Sequence, residues 1–381
     1  MGNMPLCKVA LTGCPDYEPK HVYEAFERAL ALTGGMKDII KPGMRVLVKC
    51  NMVMHKGPEA AATTHPEVVS AVCYAVKALG ATPVIGDSPG GPLSATLLKS
   101  YYAATGLSEA AARAGAELAT DTRQGVLDCP EGVELKHMDI TRMALDADAV
   151  ISCSKLKTHG MTLMTGCVKN LFGCVPGMTK VEYHARFNQL KRFSNMLVDI
   201  ERAVRPVLSV LDAVDGMEGD GPTGGTPRHI GALLVSRDAH ALDWVAAQLI
   251  GLNPTDVCTI ARAQERGLIK PADIVVYGDR IEDFRVSDYV HPHAARDIKL
   301  YSTVPVVGWL INAVTMPHPD FDKLRCVRCG ICARSCPAKA IELKPYPNAD
   351  LKKCIRCFCC QELCPQNAVK VCKSIMRRFI K

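Results

Sequence analysis

Residues 326–337 read CVRCGICARSCP and residues 354–365 read CIRCFCCQELCP. Both are Cys-x2-Cys-x2-Cys-x3-Cys-Pro, and the second copy follows the first by 28 residues. Three thiolates at that spacing on a tight turn grip three corners of a cubane [4Fe–4S] cluster, and the fourth iron needs a more distant ligand. Structural zinc normally uses separated Cys-x2-4-Cys pairs, not an unbroken run of four closed by proline. A disulfide framework fits no better, because thiols so closely spaced in a tight turn serve metals more readily than bridges.

The double run resembles the bacterial-type two-cluster ferredoxins, in which the last cysteine of each run serves the other cluster. The resemblance implies two [4Fe–4S] clusters: Cys326, Cys329, Cys332 and Cys364 hold one, and Cys354, Cys357, Cys360 and Cys336 the other. Two departures stand out. Phe358 replaces the Gly330 of the first copy, and an extra thiol, Cys359, sits beside ligand Cys360 and reads as a buried spare.

Working outward, 381 residues exceed the ~250–300 that one core serves, so two or three domains are expected. Hydrophobic residues at 48% and charged ones at 22% are those of an ordinary globule. Nineteen cysteines fall below the ~8–10% that marks a disulfide scaffold. The eleven outside the runs lie in apolar stretches such as Val72-Cys73-Tyr74, which suits a reducing cytoplasm and anaerobic metabolism. Met1–Pro5 lacks the basic start of a signal peptide, and no apolar run reaches the ~18 residues of a membrane span.

From Asp320 onward 14 Lys and Arg face 5 Asp and Glu, a local +9 that leaves the preceding 319 residues at −2 of the total +7. Positive charge around a cluster raises its potential and attracts an acidic redox partner, here a soluble electron donor or acceptor protein. No base-reading motif accompanies the basic side chains, so nucleic acid is not an expected partner.

Residues 1–283 alternate apolar runs with helical patterns. Strands are expected at Met44–Cys50, Ala81–Gly86, Ala116–Thr120, Asp148–Ser154, Pro206–Leu211, Ile230–Ser236 and Asp273–Tyr277. Helices are expected over 65–80, 92–106, 108–115, 162–175, 184–204, 239–250 and 254–266. This alternation predicts an α/β domain with a mostly parallel sheet flanked by helices, followed by a small α+β ferredoxin-type domain at 320–381. Residues 284–319 read as a linker, within which Val304–Val314 (VPVVGWLINAV) is expected to pack the two units together.

In open α/β sheets ligands gather beyond the carboxyl ends of the strands. Asn51, Asp87, the Lys155–His159 stretch and Asp212–Asp215 follow four of the expected strands, so they are expected to share one pocket. Lys155, Lys157 and His159 alternate, which places them on one strand face. Thr162 is read as the cap of a helix carrying Lys169 and Asn170, and these cations form a cradle for a carboxylate or phosphate. His159 or Asp87 then supplies a proton. Asp215–Arg228 (DGMEGDGPTGGTPR) reads as a glycine-rich lid that brings Arg228 to the anion, and Asp243 as a packing carboxylate. No P-loop pattern occurs.

The stretches TTHPEVVSAVCYAVKALGATPVIGDSPGG, SCSKLKTHGMTLMTGCVKNLFG, LDAVDGMEGDGPTGGTPR and SRDAHALDWVAAQLIGLNP together resemble the prokaryotic family known as domain of unknown function 362. Members often carry a ferredoxin unit at one end, and the family's label implies an iron–sulfur protein without fixing a reaction. The expected function is an iron–sulfur oxidoreductase passing single electrons to a small anionic substrate or cofactor. The competing expectations are an electron carrier docking on a partner enzyme, and an activator or assembly factor for another metalloenzyme.

Overall fold

The computed structural model of the chain describes residues 6–53, 55–292 and 317–372. The expected packing segment Val304–Val314 and the basic stretch after Cys372 lie outside them.

The strands of the large unit are β1 (Cys7–Gly13), β2 (Arg45–Cys50), β3 (Thr82–Gly86), β4 (Glu117–Leu118), β5 (Gln124–Asp128), β6 (His137–Thr141), β7 (Ala149–His159), β8 (Leu163–Thr165), β9 (Leu208–Glu218), β10 (Thr226–Ser236) and β11 (Ile274–Gly278). Nine of them build one sheet in the order β11-β1-β10-β9-β7-β2-β3-β4, with β8 paired to β7, while β5 and β6 form a separate hairpin. The pairs β11–β1, β9–β7, β7–β2, β2–β3 and β3–β4 are parallel. β10 runs antiparallel to both neighbours. The sheet is therefore mixed and mostly parallel, as the sequence led us to expect. β1 and the β5–β6 hairpin were not among the expected strands.

Helices cover both faces, which is why the central strands are continuously apolar rather than alternating. Val46 and Val48 of β2 pack with Phe26, Val68 and Tyr102 on one side, while Leu47 between them packs with Leu171, Phe193 and Ile200 on the other. Further along, Leu211 and Ala213 of β9 meet Leu242 and Val245 of helix Ala239–Leu249.

Two local expectations are corrected. No helix begins at Thr162: β7 runs on to His159, turns, and returns as β8, and an α-helix occupies only Cys167–Asn170. Its start is fixed by Asp243, whose two carboxylate oxygens accept the Cys167 and Val168 N–H groups at 2.6 and 3.1 Å. The buried carboxylate, not Thr162, satisfies the orphan donors of that first turn. The second correction concerns 215–228. Asp215–Glu218 belongs to β9 and Thr226–Arg228 to β10, paired in register, so the lid shrinks to a hairpin tip at 219–225.

The small unit repeats itself over 28 residues in backbone as well as sequence. Arg328 and Arg356, Gly330 and Phe358, and Lys339 and Asn367 are matched pairs with positive φ. β12 (His318–Phe321) pairs with β15 (Val369–Cys372), and β13 (Ile341–Leu343) with β14 (Pro347–Ala349). A φ of 58° at Phe358 is the left-handed conformation that glycine occupies in the first copy.

Gly173 stands against the Asp87 carboxylate and the Lys49 amine, where a Cβ has no room. Gly173→Ala is expected to destabilise the fold by about 1–3 kcal/mol, read from the shift of the chemical denaturation midpoint.

Candidate functional site

Each cysteine set predicted from the repeat is drawn together by the fold. Cys326, Cys329, Cys332 and Cys364 line one small cavity, walled by Phe321, Val327, Leu343 and Val369. The Cys332 thiol, pushed up to about 11 by burial, also feels Cys329, Cys364 and Cys326. Cys354 feels Cys357 and Cys336, and Cys360 feels Cys357, Cys354, Cys332 and Cys336. The Ala340 N–H donates to Cys336 Sγ and the Ala368 N–H to Cys364 Sγ, both at 3.2 Å. Donors of this kind stabilise thiolate ligands, so the residues present fit iron–sulfur centres. Cys359 is 3% exposed, lines a larger cavity and shares a hydrogen bond with the Cys357 thiol.

That cavity, of about 740 Å³, lies between the carboxyl ends of the sheet and the cysteine-bearing unit. One wall comes from Asn51 after β2, Asp87–Gly91 after β3, Lys157 on β7, Lys169 and Asn170 on the short helix, and Lys180 and His184 on helix Gly177–Arg186. The facing wall is Ile331, Arg334 and Ser335 from the first cysteine run with Cys359, Glu362, Leu363 and Pro365 from the second. Three contacts hold the units together: His159 Nε2 to Glu362 Oε1 at 3.0 Å, Gln361 Nε2 to the Asp220 carbonyl at 3.2 Å, and Lys56 Nζ to Asn367 Oδ1 at 2.9 Å.

The electrostatics of the wall are uneven. Lys49 and Asp87 form a buried ion pair at 2.8 Å, and the Asp87 oxygens also accept the Met52 and Ser88 N–H groups at 2.6 and 2.7 Å. Asn170 is spent on the same cluster, donating to the Lys49 carbonyl and accepting from the Lys49 amine. Lys157 donates to the Ala62 carbonyl at 2.7 Å, and Lys180 to the Ser88 carbonyl. Lys169 makes no hydrogen bond or ion pair among the described residues. Burial, followed by the charge of Lys169, holds the Lys157 amine well below the ordinary lysine range. Burial alone lowers Lys169 and is the main cause that brings Lys180 down to about 8. His184 is likewise brought down to about 4 by burial, so it is neutral near pH 7.

Five wall residues carry a buried polar atom with no partner among the described residues: Asn51 Oδ1, Ser88 Oγ, Thr165 Oγ1, His184 Nδ1 and Thr223 Oγ1. Folded proteins satisfy most such groups, so these atoms are available to water or a ligand in the cavity.

Asn51, Asp87, Lys157, Lys169 and Asn170 are thus brought together on this wall, whereas Lys155, His159, Asp215 and Arg228 are not. Between Lys155, which pairs with Asp212, and Lys157, which pairs with Met217, the extra residues lie on β9, and Asp212 is thereby placed beside the Lys155 amine. Lys155 points to Asp212 Oδ2 at 3.0 Å and to the Tyr17 hydroxyl at 2.6 Å, and both charges are buried. Tyr17 also stacks on His65, with ring centroids 3.6 Å apart. His159 Nδ1 accepts the Met161 and Thr162 N–H groups, which makes Nε2 the donor to Glu362. Burial first, with nearby Lys169, keeps His159 down at about 4, so a neutral imidazole braces an ionised carboxylate. Burial works upward on Glu362, but His159 and Lys169 hold it below the usual range. Asp215 pairs with His229 at 2.8 Å and Arg228 with Asp288, both on the surface.

Lys49, Lys180, His184 and Glu362 were not singled out from the sequence. A lysine inside the apolar run VLVKC was a legible signal for the first. Nothing local marked the others.

Among known protein families, the domain of unknown function DUF362 matches residues 46–248, and a 4Fe-4S dicluster domain matches residues 318–365. The chain belongs to the DUF362 family. A thylakoid-associated protein of Synechocystis, sll1697, is 36% identical over 265 residues, covering 68% of this chain and 79% of that one. Among solved structures, the lactate racemase apoprotein from Thermoanaerobacterium thermosaccharolyticum aligns with a TM-score of 0.40 and 13% identity. That alignment covers 64% of this chain and 57% of the racemase, and a likeness so slight carries no argument about chemistry. The dicluster match supports 4Fe–4S cluster binding by the C-terminal unit. No helix among the described residues is long and apolar enough to cross a membrane.

The Lys155–Asp212 pair yields a direct test. Removing one partner leaves a buried charge uncompensated, so Asp212→Ala is expected to cost about 3–5 kcal/mol of stability in denaturant titrations. Changing the exposed Asp288 to Ala is expected to cost under about 1 kcal/mol in the same measurement.

Proposed function

We propose that this chain is an iron–sulfur oxidoreductase that delivers single electrons to a small anionic substrate or cofactor held in the cavity between its two units. The observation that carries the proposal is the cavity wall itself, where Lys157, Lys169 and Lys180 meet five unpartnered polar atoms opposite the second cysteine run. When bound, two [4Fe–4S] clusters supply one-electron transfer, with Cys326, Cys329, Cys332 and Cys364 holding one and Cys354, Cys357, Cys360 and Cys336 the other.

The protein's part is positioning and charge. Lys169, the wall cation with no partner of its own, is the natural anion contact. Burial lowers both Lys157 and Lys180, the latter to about 8, so an incoming anion favours their charged forms and Lys180 can then yield a proton to the ligand. The Asn51 amide oxygen and the Ser88, Thr165 and Thr223 hydroxyls orient the rest of the molecule. Asp87 and Asn170 act one step back, by holding Lys49 and the β2 end in place. His159 and Glu362 form the strut that keeps the cysteine-bearing wall against the lysines, rather than a proton donor and a cradle residue. The buried cysteine-rich core and the low-potential chemistry of such clusters accord with electron transport in a cytoplasmic, oxygen-poor setting.

Anaerobically purified, cluster-loaded protein tests both halves. Binding of phosphate and succinate, followed calorimetrically, is expected to weaken at least about tenfold in Lys169→Ala, a loss of about 1.4 kcal/mol, and to weaken also in Lys157→Ala. In the intact protein, binding should weaken as pH rises through about 8, because Lys180 then loses its charge. If both lysine variants bind every anion offered as well as the parent does, and also reoxidise unchanged, the cavity is not the substrate site. For the clusters, Cys360→Ser is expected to lower iron well below the about eight atoms of two cubanes, while Cys359→Ser leaves it intact. Equal iron loss in both variants would reassign the ligands.

A further inference from the structure

The 28-residue repeat supplies an internal control for every position in the cysteine-bearing unit. Both copies have the same turn, the same positive-φ residues and the same Sγ acceptors. What differs is their surroundings. In the second copy Phe358, Cys359, Cys360 and Gln361 are buried, with Cys359 on the cavity wall and Gln361 bonded to Asp220. Of their counterparts Gly330 is buried too, but Ile331, Cys332 and Ala333 are only half-buried, and Cys329 is exposed where Cys357 is not.

The open copy also has the more exposed apolar residues, although Leu351 before the second run is 40% exposed. Leu324, two residues before ligand Cys326, is 99% exposed, and the repeat places Lys352 at the equivalent position. Val327 is 60% exposed and also lines the four-cysteine cavity, one of whose thiols, Cys329, is itself exposed. Leu343, another lining residue, is 37% exposed. A single exposed leucine needs no explanation. Val327 and Leu343 at one thiol cavity, with Leu324 close by in the chain, form a patch of the kind that marks a protein contact.

Charge says what kind of contact. Lys323, Arg325 and Arg328 are all exposed and interleave with the apolar residues. Arg328 lies over the Tyr346 ring, with its guanidinium 5.6 Å from the centroid. The carboxylate of the stretch, Asp322, is engaged by the Leu324 N–H and lies 3.7 and 3.6 Å from Arg325 and Lys370. The face is therefore an apolar centre with a basic rim, the usual layout of a surface that orients a partner by charge and holds it by burial.

We infer that the surface of Leu324, Val327, Arg325 and Arg328 is the docking face for a soluble one-electron carrier that presents carboxylates around its own exposed redox centre. The inference rests on the electron-transfer reading above and adds its direction. The Leu324–Arg328 side of the first cysteine run faces the donor or acceptor protein, while Ile331, Arg334 and Ser335 of the same run join the second run on the cavity wall. A carrier seated there meets Val327 and the exposed Cys329 of the first set of thiols.

Cluster-loaded, full-length protein is immobilised, and the binding of an oxidised plant-type [2Fe–2S] ferredoxin, an acidic carrier, is measured beside that of basic cytochrome c. The ferredoxin is expected to bind the more tightly and to weaken as salt rises, since exposed rim charges are screened within about 8–10 Å at 0.1–0.15 M. Leu324→Glu and Arg328→Glu should each weaken ferredoxin binding at least about fivefold, whereas the repeat-related Lys352→Glu should change it less than about twofold. Leu324→Ala, at a fully exposed position that folding does not need, separates the apolar contribution from the introduced charge. Unchanged binding in both Leu324 variants and in Arg328→Glu, equal loss in Lys352→Glu, or tighter binding of cytochrome c would each overturn the assignment. None of these outcomes depends on Lys157 or Lys169, so the docking face and the cavity stand or fall separately.

Discussion

An ammonium group taken out of water costs several kcal/mol unless an opposite charge stands beside it. This chain buries Lys49, Lys155, Lys157 and Lys180 within one α/β unit. Two of them are compensated inside the protein, Lys49 by Asp87 and Lys155 by Asp212. The other two have only carbonyl partners, and Lys169 beside them has none described. The imbalance is local, since all three uncompensated amines line the same cavity. A protein that tolerates it gains something other than stability, and an anionic ligand is the simplest counter-charge.

The small unit acts on the same imbalance. Glu362 lies two residues from the cysteines on either side of it and reaches across to His159, bringing one carboxylate to the lysine wall. Because the imidazole is neutral, the contact adds a negative charge without cancelling it, and the wall remains net positive. Leu363, placed against Gly90, leaves no space for a side chain there without a close contact, which ties the DSPGG turn to the cysteine-bearing unit. The cavity therefore belongs to neither unit alone. It exists only where they meet.

How far these features could be read in advance depended on how local their causes were. The cysteine sets are a matter of spacing over a few residues, and the 28-residue repeat makes each run confirm the other. Strand positions were legible because burial on both faces of the sheet leaves continuous apolar runs. The site was legible in part. Asn51, Asp87, Lys157 and Lys169 follow strand ends, and topology sends strand ends to one edge. Lys155 failed for a reason no periodicity contains, a carboxylate on a neighbouring strand that claims its amine. The lid failed because glycine-rich hairpins and glycine-rich loops look alike until a register pairs them.

The sequence by itself determined the fold class, the family and the 4Fe–4S character of the cysteine runs, because each rests on short-range patterns of residue type. Only the tertiary structure decided which lysines share a cavity, which are silenced by aspartates, and which copy of the cysteine run faces water. Those are questions of long-range pairing. Asp212 lies 57 residues from Lys155 and Glu362 lies 203 from His159. Over such separations the chain must be packed before an electrostatic partner is defined.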